Sequence, residues 1–447
     1  MPVKLAYWFI FFFFQTGIVT AQHAIQSQLQ KINCQGDTTQ QYALLVPKDY
    51  NPGNPATLLI FLDPEGRGDV PVKMYSSLAN EYSIVMAGSY NSKNFNSATS
   101  VESFVAIYND LVKRYTIDPE RIWVAGFSGG ARAGAAIATT YAEIKGVIGC
   151  GAGFASDELV IKNKKQAYAA VVGTGDMNYS ELLDNSHYLD EKKISNLLLT
   201  FDGGHQWPPV EQLGLAIEWL QSQGNPVPSL PTVRGIRFIE SVYTKYRSGL
   251  LYEAWMDVNQ FCKLPVYKIK SDSLRHEIEK SKQFNTDKEK FDRVIMEEQN
   301  CINGFSIACS RVIEQNVTVE KTTWLEKVKL VAEMRNSENH YRKMAGQRCF
   351  DHCVRLCLEY YFLNMNLKNY ELAYKIARIS SFIKPTDSNS YYYLAVSLAA
   401  LGNKKQSLKS LIEAIKRGLT YSSRIWQDQH LLAIFSAEEL KRVFEKK

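Results

Sequence analysis

The sequence predicts an α/β domain built on a mostly parallel sheet, followed by a domain made of helices alone. Between residues 40 and 222, short β-type runs alternate with helical patterns, which is typical of a parallel sheet with helices on both faces. Residues 224–231 contain three prolines and a glycine, and they indicate a semi-rigid linker. Beyond this linker, strand patterns nearly vanish and helical periodicity takes over.

Length and charge also favour two domains. The 447 residues exceed the roughly 250–300 at which a single core usually stops growing. Up to residue 230 there are 16 Lys and Arg against 21 Asp and Glu, whereas the remainder has 36 against 25. A hydrophobic content of 45% excludes a disordered chain. The overall net charge of +6 is too small to indicate a nucleic-acid partner.

A secretory signal peptide is predicted at residues 1–21. Lys4 precedes the apolar run Leu5–Phe14, and the small residue Ala21 stands at the expected cleavage position. A spanning helix needs about 20 apolar residues, and Gln15 ends this run too early. We therefore expect no transmembrane anchor after removal of the signal, and a mature chain that is secreted or periplasmic.

The predicted α/β domain covers residues 22–223. Several of its strand candidates are apolar on both faces, as strands sandwiched between helices must be. The candidate strands are Tyr42–Val46, Leu58–Leu62, Ile84–Ala87, Ile122–Ala125, Gly146–Cys150, Tyr168–Val172 and Leu197–Phe201. The candidate helices between them include Val101–Tyr115, Ala131–Ala142 and Val210–Gln221.

Residues 232–447 are predicted to be helical and to contain an internal repeat. Small or apolar residues recur 34 positions apart, at Leu367 and Leu401, Ala373 and Ser407, Ala377 and Leu411, and Ser380 and Ala414. The segment 354–421 thus resembles the tetratricopeptide repeat, which has this period and two helices per unit. That resemblance implies a protein partner for the helical domain. An ordinary helical bundle with a coincidental period is the alternative.

The eight cysteines show no disulfide framework of the kind found in small secreted domains. Cys349, Cys353 and Cys357 recur every fourth residue and would share one helix face. We favour a helix–helix contact over a metal site for this face, because zinc sites normally gather ligands from two elements. No metal and no cofactor are expected.

The segment Gly126-Phe-Ser128-Gly-Gly130 follows a predicted strand and opens a helix rich in small residues. A nucleophile on a tight strand-to-helix turn needs glycine two residues before and two residues after it, where a side chain would clash. The amino terminus of the helix also favours the negative charge that develops during attack on a carbonyl. The pattern alone is common by chance, but this context makes Ser128 a candidate nucleophile.

With this motif the chain resembles the α/β-hydrolase superfamily over residues 40–222, and most of all secreted esterases of the feruloyl-esterase, polyhydroxyalkanoate-depolymerase and dienelactone-hydrolase types. The resemblance implies an α/β-hydrolase fold and a Ser, an acid and a His in that chain order, each after a strand. Asp176 follows the predicted strand Tyr168–Val172, and His205 follows Leu197–Phe201. Other histidines and acids compete for these roles. They are His23, His187, Asp157, Asp184 and Asp202.

The resemblance also implies an oxyanion hole of two backbone donors. One is the N–H of Gly129. The other is expected on the loop after Leu58–Leu62, and because Pro64 has no N–H, we assign it to Glu65. Substrate contacts are expected from residues near the strand ends. The candidates are Tyr90, Asn91 and Trp207.

The sequence therefore predicts an exported serine hydrolase that cleaves small-molecule or polysaccharide-linked esters through an acyl-enzyme. Two alternatives stay open. One is a helical-repeat binding protein whose hydrolase domain is catalytically silent. The other is a peptidase of the same fold, since the triad serves esters and amides alike.

Overall fold

The computed structural model describes residues 28–94, 97–156, 163–223, 231–315 and 317–445. The predicted signal peptide and residues 224–230 of the predicted linker lie outside these ranges. All seven predicted strands are present within one or a few residues of their expected ends, and an eighth is added at the start. The strands are β1 (Gln30–Asn33), β2 (Gln41–Leu45), β3 (Ala56–Leu62), β4 (Ile84–Ser89), β5 (Ile117–Phe127), β6 (Gly146–Cys150), β7 (Ala167–Gly173) and β8 (Asn196–Phe201).

Six helices belong to the α/β part and twelve to the rest of the described chain. The first six are α1 (Asp69–Met74), α2 (Ser76–Glu81), α3 (Ser97–Arg114), α4 (Gly129–Thr140), α5 (Tyr179–Glu191) and α6 (Val210–Ser222). The next six are α7 (Val233–Arg247), α8 (Leu251–Phe261), α9 (Lys268–Glu279), α10 (Phe284–Glu314), α11 (Lys321–Arg335) and α12 (His340–Asn366). The last six are α13 (Tyr370–Ile383), α14 (Ser388–Ala400), α15 (Lys404–Lys416), α16 (Ser423–Trp426), α17 (Gln429–Ile434) and α18 (Ala437–Glu445). No helix in the described ranges is long and apolar enough to cross a bilayer.

The strands form one sheet in the order β1-β2-β4-β3-β5-β6-β7-β8. The β1–β2 and β2–β4 pairs are antiparallel, and every other neighbouring pair is parallel. This is the α/β-hydrolase fold that the sequence predicts. Because β5, β7 and β8 are parallel, the residues that follow them lie at one edge of the sheet.

Alternating side chains of the central strands point into two separate hydrophobic cores, one on each face of the sheet. On β3, Leu58, Ile60 and Leu62 pack toward α3, α4 and α5, whereas Leu59 and Phe61 pack toward α1, α2 and α6. All five are fully buried, which explains why this run shows no polar alternation in the sequence.

Both cores continue into the helical part of the chain. Phe291 of α10 and Met334 of α11 belong to the first core, and Phe238 of α7 and Phe261 of α8 belong to the second. The helices after residue 231 therefore pack on the sheet's covering helices, and apolar burial holds the two parts together.

Helix α8 covers the edge strand β8. The side-chain oxygen of Gln260 accepts a hydrogen bond of 3.0 Å from the Leu198 N–H, and Asp257 accepts one of 2.8 Å from the Thr200 hydroxyl. An uncovered edge strand would present unpaired backbone groups for pairing with another chain. The helical part thus completes the sheet on its β8 side.

The 34-residue period is visible in the backbone of two helical hairpins. The turn between α12 and α13 and the turn between α14 and α15 each contain a residue with positive φ, Lys368 at 61° and Gly402 at 74°. The next residues, Asn369 and Asn403, each donate a 2.8 Å backbone hydrogen bond to the preceding helix. Ser407, in a position that suits alanine, is buried and donates to the Ala395 carbonyl. Kinship with tetratricopeptide repeats, and a partner for them, stay predictions.

The thiols of α12 lie at a helix–helix contact. Cys349, Cys353 and Cys357 are buried against α10, and the Cys349 thiol donates to the Glu298 carbonyl of that helix at 3.8 Å. Within the described residues, no group of His, Cys, Asp and Glu side chains is arranged to hold a metal ion. The packing interpretation of this helix face accounts for these contacts.

Candidate active site

Ser128 occupies a strained turn between β5 and α4. Its φ is 53° and its ψ is −121°, a conformation that costs a non-glycine residue on the order of 1–3 kcal/mol. A Cβ atom on Gly126 would lie 2.1 Å from the Gly130 carbonyl oxygen, and one on Gly130 would lie 1.9 Å from that of Leu62. Glycine is therefore required at both positions, as the motif predicts. The strain holds the Ser128 hydroxyl above the sheet edge, where it is 8% exposed.

The structure brings Ser128, His205 and Asp176 together in one hydrogen-bonded chain. Nε2 of His205 lies 2.9 Å from Oγ of Ser128. Nδ1 of His205 lies 3.0 Å from both carboxylate oxygens of Asp176, which is fully buried. Both distances are those of hydrogen bonds, so a proton can pass from the hydroxyl to the imidazole.

Two neighbouring loops fix the positions of Asp176 and His205 relative to each other. The loop after β7 carries Asp176 and the loop after β8 carries His205, and the Gly175 N–H donates to the Gly203 carbonyl at 2.8 Å between them. The Asn178 N–H also donates to Asp176 at 2.9 Å. On its other side, the His205 ring packs against Phe127, with 4.7 Å between ring centroids.

The competing residues do not enter this chain of hydrogen bonds. His187 and Asp184 lie within α5, away from the strand ends, and Asp202 is exposed at the start of the histidine loop. His23 and Asp157 lie outside the described residues.

Gly129, the first residue of α4, fits the role of oxyanion donor. The first N–H groups of a helix have no partner within it, and they lie at the positive end of the helix dipole. The N–H of Gly129 is thus available beside the Ser128 hydroxyl.

The assignment of Glu65 as second donor is corrected by the structure. Its N–H donates to Oδ1 of Asp63 at 2.9 Å, so it is not free to bind an oxyanion. Asp63 is fully buried and also accepts hydrogen bonds from the Arg67 guanidinium and the Trp207 indole. The loop after β3 is therefore folded around the Asp63 carboxylate, which the Asp63-Pro64 sequence does not reveal.

The side chain of Asn94 lies beside Gly129 in the lining of the cavity next to the nucleophile. A Cβ atom on Gly129 would lie only 1.8 Å from Oδ1 of Asn94, so this amide group touches the residue after the nucleophile. The Asn94 N–H also donates to the Pro64 carbonyl at 2.9 Å, which fixes the loop after β4 to the loop after β3. A half-turn of the amide exchanges its oxygen and its NH₂ group. In the sequence the only signal is the position of Asn94 in a polar loop after a strand.

A cavity of about 720 Å³ opens beside the nucleophile. On the α/β side, Ser128, Asn94, Met177 and Asn178 line it together with the ion pair of Arg132 and Glu181, whose closest atoms are 2.7 Å apart. On the other side its wall is α12, through His352, Arg355, Leu356 and Glu359.

Four charged side chains of the cavity form two ion pairs, Arg132 with Glu181 and Arg355 with Glu359, and Lys93 adds a further cation to the lining. Arg355 lies 3.7 Å from Glu359, and burial lowers the pKa of His352, so this imidazole is neutral near pH 7. The lining thus combines these ionic groups with apolar side chains such as Met177 and Leu356, as small-molecule sites commonly do.

The structure assigns other roles to the three residues expected to contact substrate. Asn91 accepts from the Gln41 N–H at 2.9 Å and donates to the Thr39 carbonyl at 3.1 Å, so it closes the loop before β2. Trp207 is 7% exposed and packs among aromatic side chains below the sheet edge. Tyr90 is half-buried under Lys31, with the Lys31 Nζ 4.8 Å from its ring centroid. None of the three lines the described cavity.

No protein-family model and no curated protein matches the sequence. Among solved structures, s-formylglutathione hydrolase from Staphylococcus aureus is 15% identical, covers 43% of this chain and 95% of its own, and gives a TM-score of 0.36. A feruloyl esterase module from Clostridium thermocellum is 10% identical over 42% of this chain and 84% of its own, with a TM-score of 0.35. A puromycin-hydrolyzing peptidase of Mycobacterium tuberculosis is 15% identical over 46% of this chain and 40% of its own, with a TM-score of 0.36. At such identities and TM-scores the likeness concerns the fold alone.

Proposed function

We propose that this protein is an exported serine hydrolase that cleaves carboxylic esters through an acyl-enzyme intermediate. The observation that carries the proposal is the hydrogen-bonded chain from the Ser128 hydroxyl through His205 to the buried carboxylate of Asp176. A hydroxyl, an imidazole and a carboxylate in this order are the parts that acyl transfer requires.

In the first half of the reaction, His205 Nε2 accepts the Ser128 proton while Oγ attacks the ester carbonyl carbon. Asp176 keeps the proton of the imidazole on Nδ1 and stabilises the positive charge that the ring acquires. The protonated ring then donates its proton to the departing alcohol. In the second half, water repeats the attack on the acyl-enzyme with His205 as its base.

The negative charge on the carbonyl oxygen needs donors that are already in place. The Gly129 N–H is one, and we assign the side-chain NH₂ of Asn94 as the other, because the Glu65 N–H is occupied by Asp63. Each such donor contributes on the order of 3 kcal/mol to the transition state in serine hydrolases.

Labelling with a fluorophosphonate probe tests the proposal without knowledge of the substrate. An activated serine displaces fluoride and forms a covalent Oγ–P bond. We expect one label on Ser128, hydrolysis of short p-nitrophenyl esters, and a rate at least about a thousandfold lower in Ser128→Ala. Ser77→Ala, at an exposed position of α2, is the matched control.

The outcomes separate the alternatives. Labelling together with hydrolysis of peptide amides but not of esters would favour a peptidase of the same fold. Equal inertness of the wild type and Ser128→Ala toward the probe, esters and peptides would refute the enzyme and favour a binding protein with a silent hydrolase domain.

A further inference from the structure

Arg348 is a buried charge whose hydrogen bonds cross from the helical part to the loop that carries Asp176. It lies on α12 and is 3% exposed. Its Nε lies 2.8 Å from Oε1 of Glu298, and its Nη2 contacts Oε2 of the same carboxylate. Glu298 lies on α10 and is fully buried. This bidentate ion pair uses two of the three guanidinium nitrogens, Nε and Nη2.

The third guanidinium nitrogen, Nη1, reaches the loop that carries Asp176. Nη1 of Arg348 donates to the Thr174 carbonyl oxygen at 2.7 Å, two residues before Asp176. The guanidinium also stacks on Tyr179, with 4.7 Å from its central carbon to the ring centroid. Glu298 in turn accepts a hydrogen bond of 3.2 Å from the Ser180 hydroxyl, after the loop. The Arg348–Glu298 ion pair therefore forms hydrogen bonds to Thr174 before Asp176 and to Ser180 after it.

The other contacts of the loop come from the opposite side. The Thr174 N–H donates to the Phe201 carbonyl at 2.9 Å, and the Gly175 N–H donates to the Gly203 carbonyl at 2.8 Å. The backbone before Asp176 is thus held between the histidine loop, which takes its N–H groups, and α12, which supplies the donor for its carbonyl. A buried carbonyl without a donor is costly, so removal of Arg348 should let the loop move.

We propose that Arg348, fixed by Glu298, is a positioning residue that aligns Asp176 with His205, and that the helical part is therefore needed for catalysis. The catalytic half of this inference rests on the proposed function. The competing explanation is that the pair only fastens α10 and α12 to the α/β part, in which case stability would change without a specific effect on Asp176.

The test replaces both partners, because removal of one would leave an uncompensated buried charge. Arg348→Met with Glu298→Met keeps the volume and removes the donor to Thr174. The matched control is Arg342→Met with Glu297→Met, which deletes a neighbouring pair between the same two helices, with 2.7 Å between its closest atoms. Arg348→Lys is the second variant. It keeps the positive charge, but a lysine ammonium cannot reproduce the bidentate pair with Glu298 and the hydrogen bond to Thr174 at the same time.

Two readouts on the full-length protein report on alignment. The first is kinetic: we expect kcat/KM to fall about tenfold to a hundredfold, mainly through kcat, as misplacement of a catalytic group by about 1 Å would produce. The second is hydrogen exchange of the peptide 171–178, which should become faster.

The control variant should match the wild type in both readouts. The proposal is overturned if the Met/Met variant, or Arg348→Lys should the former not fold, exchanges the 171–178 amides and turns over substrate as the control does. If the wild type has no activity, the proposed function fails. Hydrogen exchange then still decides whether Arg348 holds the loop.

Discussion

Replacement of Asn94 by alanine measures what one side-chain donor contributes to the transition state. The proposed mechanism has two donors for the oxyanion, the Gly129 N–H and the Asn94 amide, since the Glu65 N–H donates to Asp63. Loss of one donor in such sites typically lowers kcat by about a hundredfold to a thousandfold. Asn94 is half-buried at the mouth of the cavity, so water weakens its effect and we expect the lower end. A hundredfold corresponds to about 2.7 kcal/mol.

The assay is steady-state hydrolysis of a p-nitrophenyl ester, with kcat and KM determined separately. KM should change little, because a donor to the oxyanion acts on the transition state more than on the bound ester. Asn94→Asp should be slower than Asn94→Ala, since a carboxylate cannot donate and repels the oxyanion.

Asn91→Ala is the control from the same loop. It loses hydrogen bonds to Gln41 and Thr39 and should lower the free energy of unfolding by about 1 kcal/mol while kcat is kept. If Asn94→Ala retains kcat within about threefold of the wild type, Asn94 is not a donor and the second half of the oxyanion hole lies elsewhere.

Three further predictions concern the loop after β3, pH and export. Asp63→Ala should lower both stability and kcat, because it strips the acceptor from Arg67, Trp207 and the loop amides, and urea unfolding with a kinetic assay checks this. A hydrogen bond to Glu253 raises the pKa of His340, so the stability that this pair contributes is complete below the pKa of an unfolded histidine, where Glu253 is still ionised, and is lost as pH rises through the raised pKa. Unfolding at about pH 6 and about pH 9 should show the loss in the wild type and a smaller one in His340→Gln. Mass spectrometry of the exported protein should find Gln22 as the first residue, and an uncleaved chain would contradict the predicted signal peptide.

The sequence predicts the central sheet well because its strands are buried on both faces. Leu58–Leu62 and Gly146–Cys150 are runs without a polar alternative, and the structure places strands there. β1 is missed because three of its four residues are polar and exposed, and its pairing with β2 is a tertiary contact. Helices α1 and α2 are missed because each has six residues and lacks a side-chain cap at its start.

The same difference between buried strands and exposed local segments explains which residues of the site could be predicted from the sequence. Ser128, Asp176 and His205 each follow a strand that the sequence predicts, so topology alone brings them to one edge. The donor assignment to Glu65 fails for a local reason, because the carboxylate of Asp63 folds back on its own loop. Asn94 differs from other loop asparagines only in its distance from Gly129, which no local pattern encodes.

The sequence also does not predict how the helical part packs on the α/β part. Composition changes sharply at residue 231, and a change of composition predicts a change of domain. Packing does not follow that division, because α7 and α8 extend one core of the sheet while α10, α11 and α12 extend the other. The loop that carries Asp176 lies at the second of these junctions, under Arg348. A mutation that loosens α12 should therefore displace Asp176 before it unfolds the chain, since α12 donates one hydrogen bond to the Thr174 carbonyl, whereas many side chains hold the cores together.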